Sequence, residues 1–210
     1  MLTADFEHVE VRTFAVEVLR TTADDAKLLE LMIQLVQCVR YDPKVSEGSS
    51  PVADFLVERC HSNNKLAVAL HWSLIVDCED PDLKDRISSM MQKLYQLLST
   101  KNPDGCAVVH DQIRLKAQLK HFNDVMRRQT GSYSNREEFM RTQLNDSGCF
   151  AELLNIRVSL PMDPSIYLVS AIPEVRDQCV FIRLQKPQRN MLATSDAVRL
   201  FTKFNVYWIF

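Results

Sequence analysis

The sequence predicts a mainly α protein, with an α-solenoid-like antiparallel array of helices followed by a short, incomplete β-rich segment. Apolar residues recur at helical spacing from about residue 7 to residue 128, in successive runs joined by short links. After about residue 150 the runs become short and rich in β-branched and aromatic residues, as is typical of strands. Only four glycines occur in 210 residues, too few for the many tight turns of an all-β fold.

This change of pattern predicts three parts. Residues 1–130 are expected to form a helical domain, 131–150 a linker helix, and 151–210 a β-rich remainder. The chain ends on an apolar run at 206–210 without a turn or a charged residue. Because a strand exposed in this way invites aggregation, we expect the sequence to stop within a domain.

The first two helices are predicted from apolar stripes. In the first helix, Arg12 is expected to lie away from the apolar face, which consists of Val11, Phe14, Ala15, Val18 and Leu19. The second helix is expected from about Asp24 to Tyr41, with acidic residues at its amino end. Its stripe consists of Leu28, Leu31, Met32, Leu35, Val36 and Val39.

Capping residues followed by proline predict where two further helices begin. Ser50-Pro51 and Asp80-Pro81 each place a capping residue before a proline at the first helical position. The helix after Asp80 is expected to continue to about Leu98. Between these two helices, a segment from about 64 to 78 is apolar nearly all round and is predicted to be deeply buried. The last long helix is expected over 106–128.

Beyond residue 130 the sequence predicts one short helix and then strands. Ser134 and Glu137 fit a capping box that opens a helix ending near 146–148. Four strands are then expected, at 166–172, 179–182, 198–202 and 206–210.

Composition excludes several classes of protein. The net charge is −2 and the pI is about 6.2, so no nucleic-acid partner is expected. None of the six cysteines has C-x-x-C spacing, which predicts reduced thiols in a cytosolic protein. The amino-terminal residues do not resemble a signal peptide, and no run reaches the length of about 18 apolar residues that a membrane span needs. Any membrane role is therefore expected to be peripheral.

Common catalytic motifs are absent from the sequence, including G-x-G-x-x-G, Walker A, H-E-x-x-H, H-R-D and D-F-G. No catalytic or metal-binding residue is predicted from motifs. An acidic cluster at Asp77, Glu79, Asp80 and Asp82 fits either a divalent ion or a solvated turn before the next helix. A metal-dependent enzyme remains an alternative on that ground.

A basic face is predicted on the helix over 106–128. Arg114, His121 and Arg128 are seven residues apart, and the nearby cations are Lys116, Lys120 and Arg127. This face lies opposite an apolar stripe. It fits acidic lipid headgroups, an acidic partner, or an ordinary solvated helix surface.

Four segments resemble the helical domain of phosphoinositide kinases. They are Val11–Arg20 (similar to VRxYAVxxLR), Leu31–Tyr41 (LLQLVQALKYE), Phe55–Ala67 (FLxxRAxxNxxLA) and Ile75–Asp80 (IVECED). The last segment, preceded by His71-Trp72, is similar to the class III phosphatidylinositol 3-kinases. Farther along, Ser159–Pro164 and Ile172–Glu174 resemble the entry to the catalytic domain, PLPLEP…GIIPE.

The resemblance also implies a nucleotide-facing loop. Residues 180–187 lie where the family has its phosphate-facing loop, which implies that Phe181, Arg183 and Pro187 face ATP. Arg183 stands at the family's serine position and Ile182 at its lysine position. Residues 201–210 resemble the strand that precedes the family's ATP-binding lysine. The resemblance therefore implies no catalytic residue, no metal site and no bound cofactor in this chain.

The resemblance implies a parent enzyme that phosphorylates the 3-hydroxyl of phosphatidylinositol, using ATP with Mg²⁺ or Mn²⁺. It implies a membrane substrate and a regulatory protein subunit of the class III complex. It also implies a cytoplasmic enzyme at the periphery of endosomal or autophagic membranes. This chain would be mostly the helical scaffold, inactive alone. The alternatives are part of a phosphatidylinositol 4-kinase and a non-catalytic helical-repeat interaction protein.

Overall fold

The structure is a computed structural model. It describes residues 2–42 except 4 and 7, residues 50–144 and 148–149, and five strand segments between 158 and 200. The chain divides into two compact units, Met1–Val109 and His110–Phe210. In the part of the chain that the structure describes, no helix combines the length and apolar character needed to cross a bilayer.

The described residues are mainly helical, as the sequence predicts. The helices are α1 Val9–Thr22, α2 Asp25–Cys38, α3 Pro51–Cys60, α4 Asn64–Asp77, α5 Lys84–Lys101, α6 Pro103–Arg128 and α7 Tyr133–Gln143. A 3-10 turn, Val39–Tyr41, continues α2. The apolar stripe predicted for α2 is confirmed, since five of its six residues are buried and Leu31 is half-buried.

Alternate helices of the first unit lie side by side. α1 packs on α3, α3 packs on α5, and α2 packs on α4. Near their carboxyl ends, Arg20 of α1 pairs with Glu58 of α3 at 2.8 Å. Arg40, just beyond α2, likewise pairs with Asp80, just beyond α4, at 2.7 Å. Alternate helices therefore run in the same direction and consecutive ones are antiparallel, which confirms the predicted array.

One continuous apolar core extends through the first unit, and α4 lies within it. The predicted deep burial of α4 is confirmed, because seven of its residues are at most 8% exposed: Leu66, Ala67, Val68, Leu70, His71, Trp72 and Leu74. Val76, by contrast, is 64% exposed. A helix buried on most sides needs apolar residues on most sides, which is why this segment shows little helical periodicity.

The predicted face of α1 is partly wrong. Arg12, which was expected to lie off the apolar face, is fully buried together with Ala15 and Val16. Phe14 and Val18, which were expected to be buried, are 58% and 42% exposed. The physical reason is that this side of α1 also faces the buried carboxylate of Asp42, which requires a cation beside it.

Two predicted helix starts also differ from the structure. α5 begins at Lys84 rather than at Pro81, because 80–83 form a turn in which the Leu83 N–H donates to the carbonyl of Asp80 at 3.1 Å. α7 begins at Tyr133, and its cap is Ser132, whose hydroxyl accepts from the Asn135 N–H. The predicted cap, Ser134, lies inside the helix, so the capping box at Ser134 and Glu137 is wrong.

The second unit contains the described strands. β1 Val158–Ser159 pairs antiparallel with β2 Tyr167–Leu168, and β3 Ser170–Arg176, β4 Cys179–Gln185 and β5 Val198–Leu200 form an antiparallel sheet in that order. The predicted strand at 166–172 spans β2 and the start of β3, and those at 179–182 and 198–202 overlap β4 and β5. The strand predicted at 206–210 lies outside the described residues. The predicted domain boundaries at 130 and 150 stay predictions.

Candidate functional site

A buried carboxylate, Asp42, joins several helices at the end of α2. Its Oδ1 accepts from Arg12 Nε of α1 at 2.8 Å, and both side chains are 0% exposed. Its Oδ2 accepts from the Ser50 hydroxyl at 2.8 Å and from the N–H groups of Val52 and Ala53 at 3.0 and 3.2 Å. We call these five residues the Asp42 junction. All four hydrogen bonds are directed at a single carboxylate that is closed off from solvent.

The Asp42 carboxylate, which lies outside α3, accepts hydrogen bonds from the N–H groups at the amino end of α3. Ser50 occupies the predicted N-cap position before Pro51, but its side chain makes no capping bond and its hydroxyl donates to Asp42 instead. The first N–H groups of a helix have no partner within it, and their partial positive charge favours an anion. The predicted helix start is therefore correct, while the capping group is Asp42 rather than the serine.

Two arginines complete the carboxyl end of α2. Arg12 Nη2 donates to the carbonyl of Cys38 at 2.7 Å. Arg86 Nη1, from α5, donates to the carbonyls of Val39, at 3.0 Å, and Asp42. The last carbonyls of a helix lack partners within it, so these bonds satisfy acceptors that would otherwise be lost. The end of α2 is thereby fixed to α1, α3 and α5.

A second polar cluster joins the start of α2 to the end of α3 and to the start of α4. Asp25, the first residue of α2, accepts from Arg59 Nη2 at 2.7 Å and from Asn63 Nδ2 at 2.8 Å. Asn63 in turn caps α4, because its Oδ1 accepts from the N–H groups of Lys65 and Leu66 at 2.9 and 3.4 Å. We call Asp25, Arg59 and Asn63 the Asp25 junction. It links the start of α2, the end of α3 and the start of α4.

The start of α6 is attached nearby through Asn102. Its Nδ2 donates to the His61 carbonyl at 2.9 Å and to Asn64 Oδ1 at 2.7 Å, while its Oδ1 accepts from the Gly105 N–H at 2.9 Å. A Cβ at Gly105 would lie 2.7 Å from Asn102 Nδ2 and 2.8 Å from Asn64 Oδ1. A larger residue at this position would therefore have to displace the two amide side chains.

A buried histidine and tyrosine connect α4 with α5. His71 is 0% exposed, and its Nδ1 lies 2.9 Å from Tyr95 Oη. The ring of Trp72 meets that of His71 edge-on, with centroids 5.0 Å apart. Burial raises the pKa of Tyr95, so the phenol stays protonated and available as a donor. This contact satisfies polar atoms within the core.

The acidic cluster considered for a metal ion forms a turn. Asp80 Oδ1 accepts from the Asp82 N–H at 3.0 Å, and its Oδ2 pairs with Arg40 at 2.7 Å. Burial is the main cause that raises the pKa of Asp77. Among the residues that the structure describes, no three His, Cys, Asp or Glu side chains come together as a metal site.

Two of the three residues expected to face ATP, Phe181 and Arg183, lie in β4. Phe181 is in register with Glu174 of β3, and Arg183 is in register with Ile172 of β3 and Arg199 of β5. Pro187 lies outside the described residues. The structure brings Phe181 and Arg183 onto one strand, and their role towards ATP stays a prediction.

Sequence comparison identifies the family to which this helical array belongs. Residues 1–106, half of the chain, match the accessory domain (PIK domain) of the phosphoinositide 3-kinase family. The chain belongs to the phosphoinositide 3-kinase family. The matched residues cover α1–α5, including both polar junctions.

Curated members of this family align with most of the chain. Phosphatidylinositol 3-kinase pik3 of Schizosaccharomyces pombe is 31% identical over 205 residues, covering 93% of this chain and 25% of that protein. The root isoform of phosphatidylinositol 3-kinase from Glycine max is 28% identical, with 93% and 24% covered. Phosphatidylinositol 3-kinase VPS34 of Arabidopsis thaliana is 29% identical, with 80% and 21% covered. The chain spans about a quarter of the length of these relatives.

The structure gives physical roles to residues of the PIK-domain segments. Arg59 and Asn63 occupy the arginine and asparagine positions of the FLxxRAxxNxxLA segment, and both bind Asp25. Arg12 belongs to the first of the four segments, and its partner Asp42 follows the second. Sequence reasoning missed Asp42 and Asp25 as junction residues. Their arginine and asparagine partners are 30 to 38 residues away in sequence, and the one available signal was the charged Arg12 within an otherwise apolar helix.

Proposed function

We propose that this chain is the helical scaffold of an ATP-dependent lipid kinase that phosphorylates the 3-hydroxyl of phosphatidylinositol. Its supporting observation is the match of residues 1–106 to the PIK domain, over the segment that folds as the antiparallel array. The relatives described above carry the name phosphatidylinositol 3-kinase, so the 4-kinase and interaction-protein alternatives are not favoured.

The proposed mechanism assigns positioning, not chemistry, to this part of the enzyme. Phosphoryl transfer requires a lysine on the phosphates, residues that hold Mg²⁺ or Mn²⁺, and a base near the attacking hydroxyl. None of the described residues is proposed for these roles. The two junctions fix helix ends in the array, and a rigid array is what a scaffold for catalytic lobes requires. We further propose that the array contacts a regulatory subunit at endosomal or autophagic membranes.

A chimera tests the scaffold proposal. The aligned segment of the Schizosaccharomyces pombe kinase would be replaced by residues 1–106 of this chain, and ATP-dependent formation of phosphatidylinositol 3-phosphate would be measured with the product's phosphate position assigned by chromatography. We expect the chimera to retain activity. A chimera that folds but makes no product, or a 4-phosphate product, would contradict the proposal.

The isolated chain provides the complementary test. We expect the 210-residue protein to show no lipid phosphorylation with ATP and either metal ion. Turnover by the purified chain, retained after a second purification step, would overturn the assignment of a scaffold role. Immunoprecipitation of the tagged chimera, followed by mass spectrometry, tests whether a regulatory subunit binds to this segment.

A further inference from the structure

The exposed face of α6 carries an excess of basic residues. Between residues 110 and 130, every residue of which is described, the exposed side chains include Arg114, Lys120, Arg127 and Arg128. The two acidic residues in this stretch are Asp111, whose side chain is 45% exposed, and Asp124, which is half-buried. We call Arg114, Lys120 and Arg128 the α6 basic face.

These cations lie along one side of a continuous helix. From Arg114 to Arg128 the helix rises about 21 Å, at about 1.5 Å per residue. The opposite side carries buried apolar residues, Leu115 and Phe122. The basic face is therefore fixed in orientation by the buried side of its own helix rather than being a flexible charged run.

Little of this positive charge is neutralised within the protein. Arg114 pairs with Asp111 at 3.3 Å, but both side chains are well exposed, at 67% and 45%, and exposed pairs contribute little. In the described part of the chain, Lys120 and Arg128 form neither a hydrogen bond nor an ion pair. The potential of the face is thus available to an external anion.

We propose that the α6 basic face binds the surface of a membrane containing anionic lipids. Cations near such a surface are attracted without needing a shaped pocket, and the attraction grows with their number. A stable protein interface usually centres on aromatic or other apolar anchors and is depleted of lysine. The exposed apolar residues beside these cations are Ile113, at 37%, and Ala117, which favours the membrane over an acidic protein.

The test is co-sedimentation of the 210-residue chain with two kinds of vesicle. One contains only phosphatidylcholine, and the other contains phosphatidylcholine with phosphatidylserine. We expect binding only to the second, and we expect that binding to fall as salt is raised from 50 to 500 mM, because the Debye length shortens from about 14 Å to about 4 Å.

Two matched variants identify the surface. The first is Arg114→Gln, Lys120→Gln and Arg128→Gln. The second removes the same charge from exposed, unpaired lysines in the first unit, as Lys65→Gln, Lys84→Gln and Lys101→Gln. Each cation near an anionic surface contributes about fivefold to membrane affinity. We therefore expect the first variant to bind the phosphatidylserine vesicles on the order of a hundredfold more weakly than the parent protein. The second variant should bind them nearly as tightly as the parent protein. Circular dichroism checks that both remain folded.

Each other outcome overturns the proposal. These are no binding of the parent to phosphatidylserine vesicles, equal losses in the two variants, no loss in the first, and binding to polyglutamate but not to vesicles. The last result would assign the face to an acidic protein. Because the vesicles contain neither phosphatidylinositol nor ATP, the result is independent of the proposed lipid kinase role.

Discussion

At the scale of single residues, the Asp42 junction places two opposite charges in the core. Removing an ion from water is costly, and its partner compensates only when the remaining polar atoms are also bonded. Asp42 meets this condition through four donors, whereas Arg12 gains only the Cys38 carbonyl in addition, and its buried Nη1 has no hydrogen-bond partner among the described residues. The pair therefore depends strongly on both members being present.

Asp42→Asn should destabilise the first unit by about 3–5 kcal/mol, because it leaves the buried Arg12 without an opposing charge. Urea unfolding followed by circular dichroism measures this change. The matched control is Asp80→Asn, which breaks a partly exposed ion pair with Arg40 and should cost about 1 kcal/mol or less.

The Arg12–Asp42 pair also predicts that two substitutions will not have additive effects on the free energy of unfolding. Combined with Asp42→Asn, Arg12→Met should cost less than the sum of the two single substitutions, because the double variant no longer buries an unpaired charge. Equal costs for Asp42→Asn and Asp80→Asn, or an additive double variant, would show that Asp42 is not a buried anchor.

The cysteines give a second prediction at this scale. Burial raises the pKa of the Cys60 thiol, which is 0% exposed, whereas Cys149 is exposed. Alkylation requires the thiolate, so between pH 7 and 9 iodoacetamide should modify Cys149 first and leave Cys60 intact. Peptide mass spectrometry follows both sites, and guanidinium should abolish the difference. Labelling of native Cys60 as fast as Cys149 would contradict its buried position.

At the scale of elements, helix ends differ most from sequence expectation. An apolar stripe places α2 and a continuous apolar run places α4, because the core selects those residues directly and each pattern is local in sequence. The end of α2 and the start of α3 depend on Arg12, Asp42 and Arg86, whose contacts span up to 47 residues. Local patterns carry no information on such partners. Arg12 therefore could be read only as a polar residue on an amphipathic helix.

The start of α7 tests which serine caps the helix. Because the Ser132 hydroxyl accepts from the Asn135 N–H, Ser132→Ala should destabilise the first turn by about 1 kcal/mol. Hydrogen exchange in the peptide covering 132–143 should become faster by about fivefold. Ser134→Ala is the control and should leave exchange unchanged or slower, since alanine favours the helix interior. If exchange became faster in Ser134→Ala and not in Ser132→Ala, the result would support the capping box predicted from the sequence instead.

At the scale of the whole molecule, α4 connects the layers of the array. Leu70→Ala, at a fully buried position, should destabilise the first unit by about 2–5 kcal/mol through lost burial and a cavity. Val76→Ala, on the exposed side of the same helix, should change stability by about 0.5 kcal/mol or less. Urea unfolding compares the two. Similar effects would mean that α4 is not central to the core.

The helical part was largely predictable from sequence because apolar patterns recur along it and four family-like segments lie between Val11 and Asp80. The candidate nucleotide-facing residues have no such recurring pattern. Phe181 and Arg183 are placed by strand register, and Pro187 lies outside the described residues. A site made by residues from several distant segments has no local signature comparable to an amphipathic stripe.

The packing of alternate helices also has a kinetic consequence. In the first unit, the helix pairs that pack together are neighbours or next neighbours in chain order. Proteins whose contacts join residues close in sequence fold rapidly, because little loop-closure entropy is lost before contacts form. Refolding of this unit should therefore fall in the microsecond-to-millisecond range, roughly as for other helical proteins. Growth can begin at any adjacent pair and spread along the array, so no single helix has to form first.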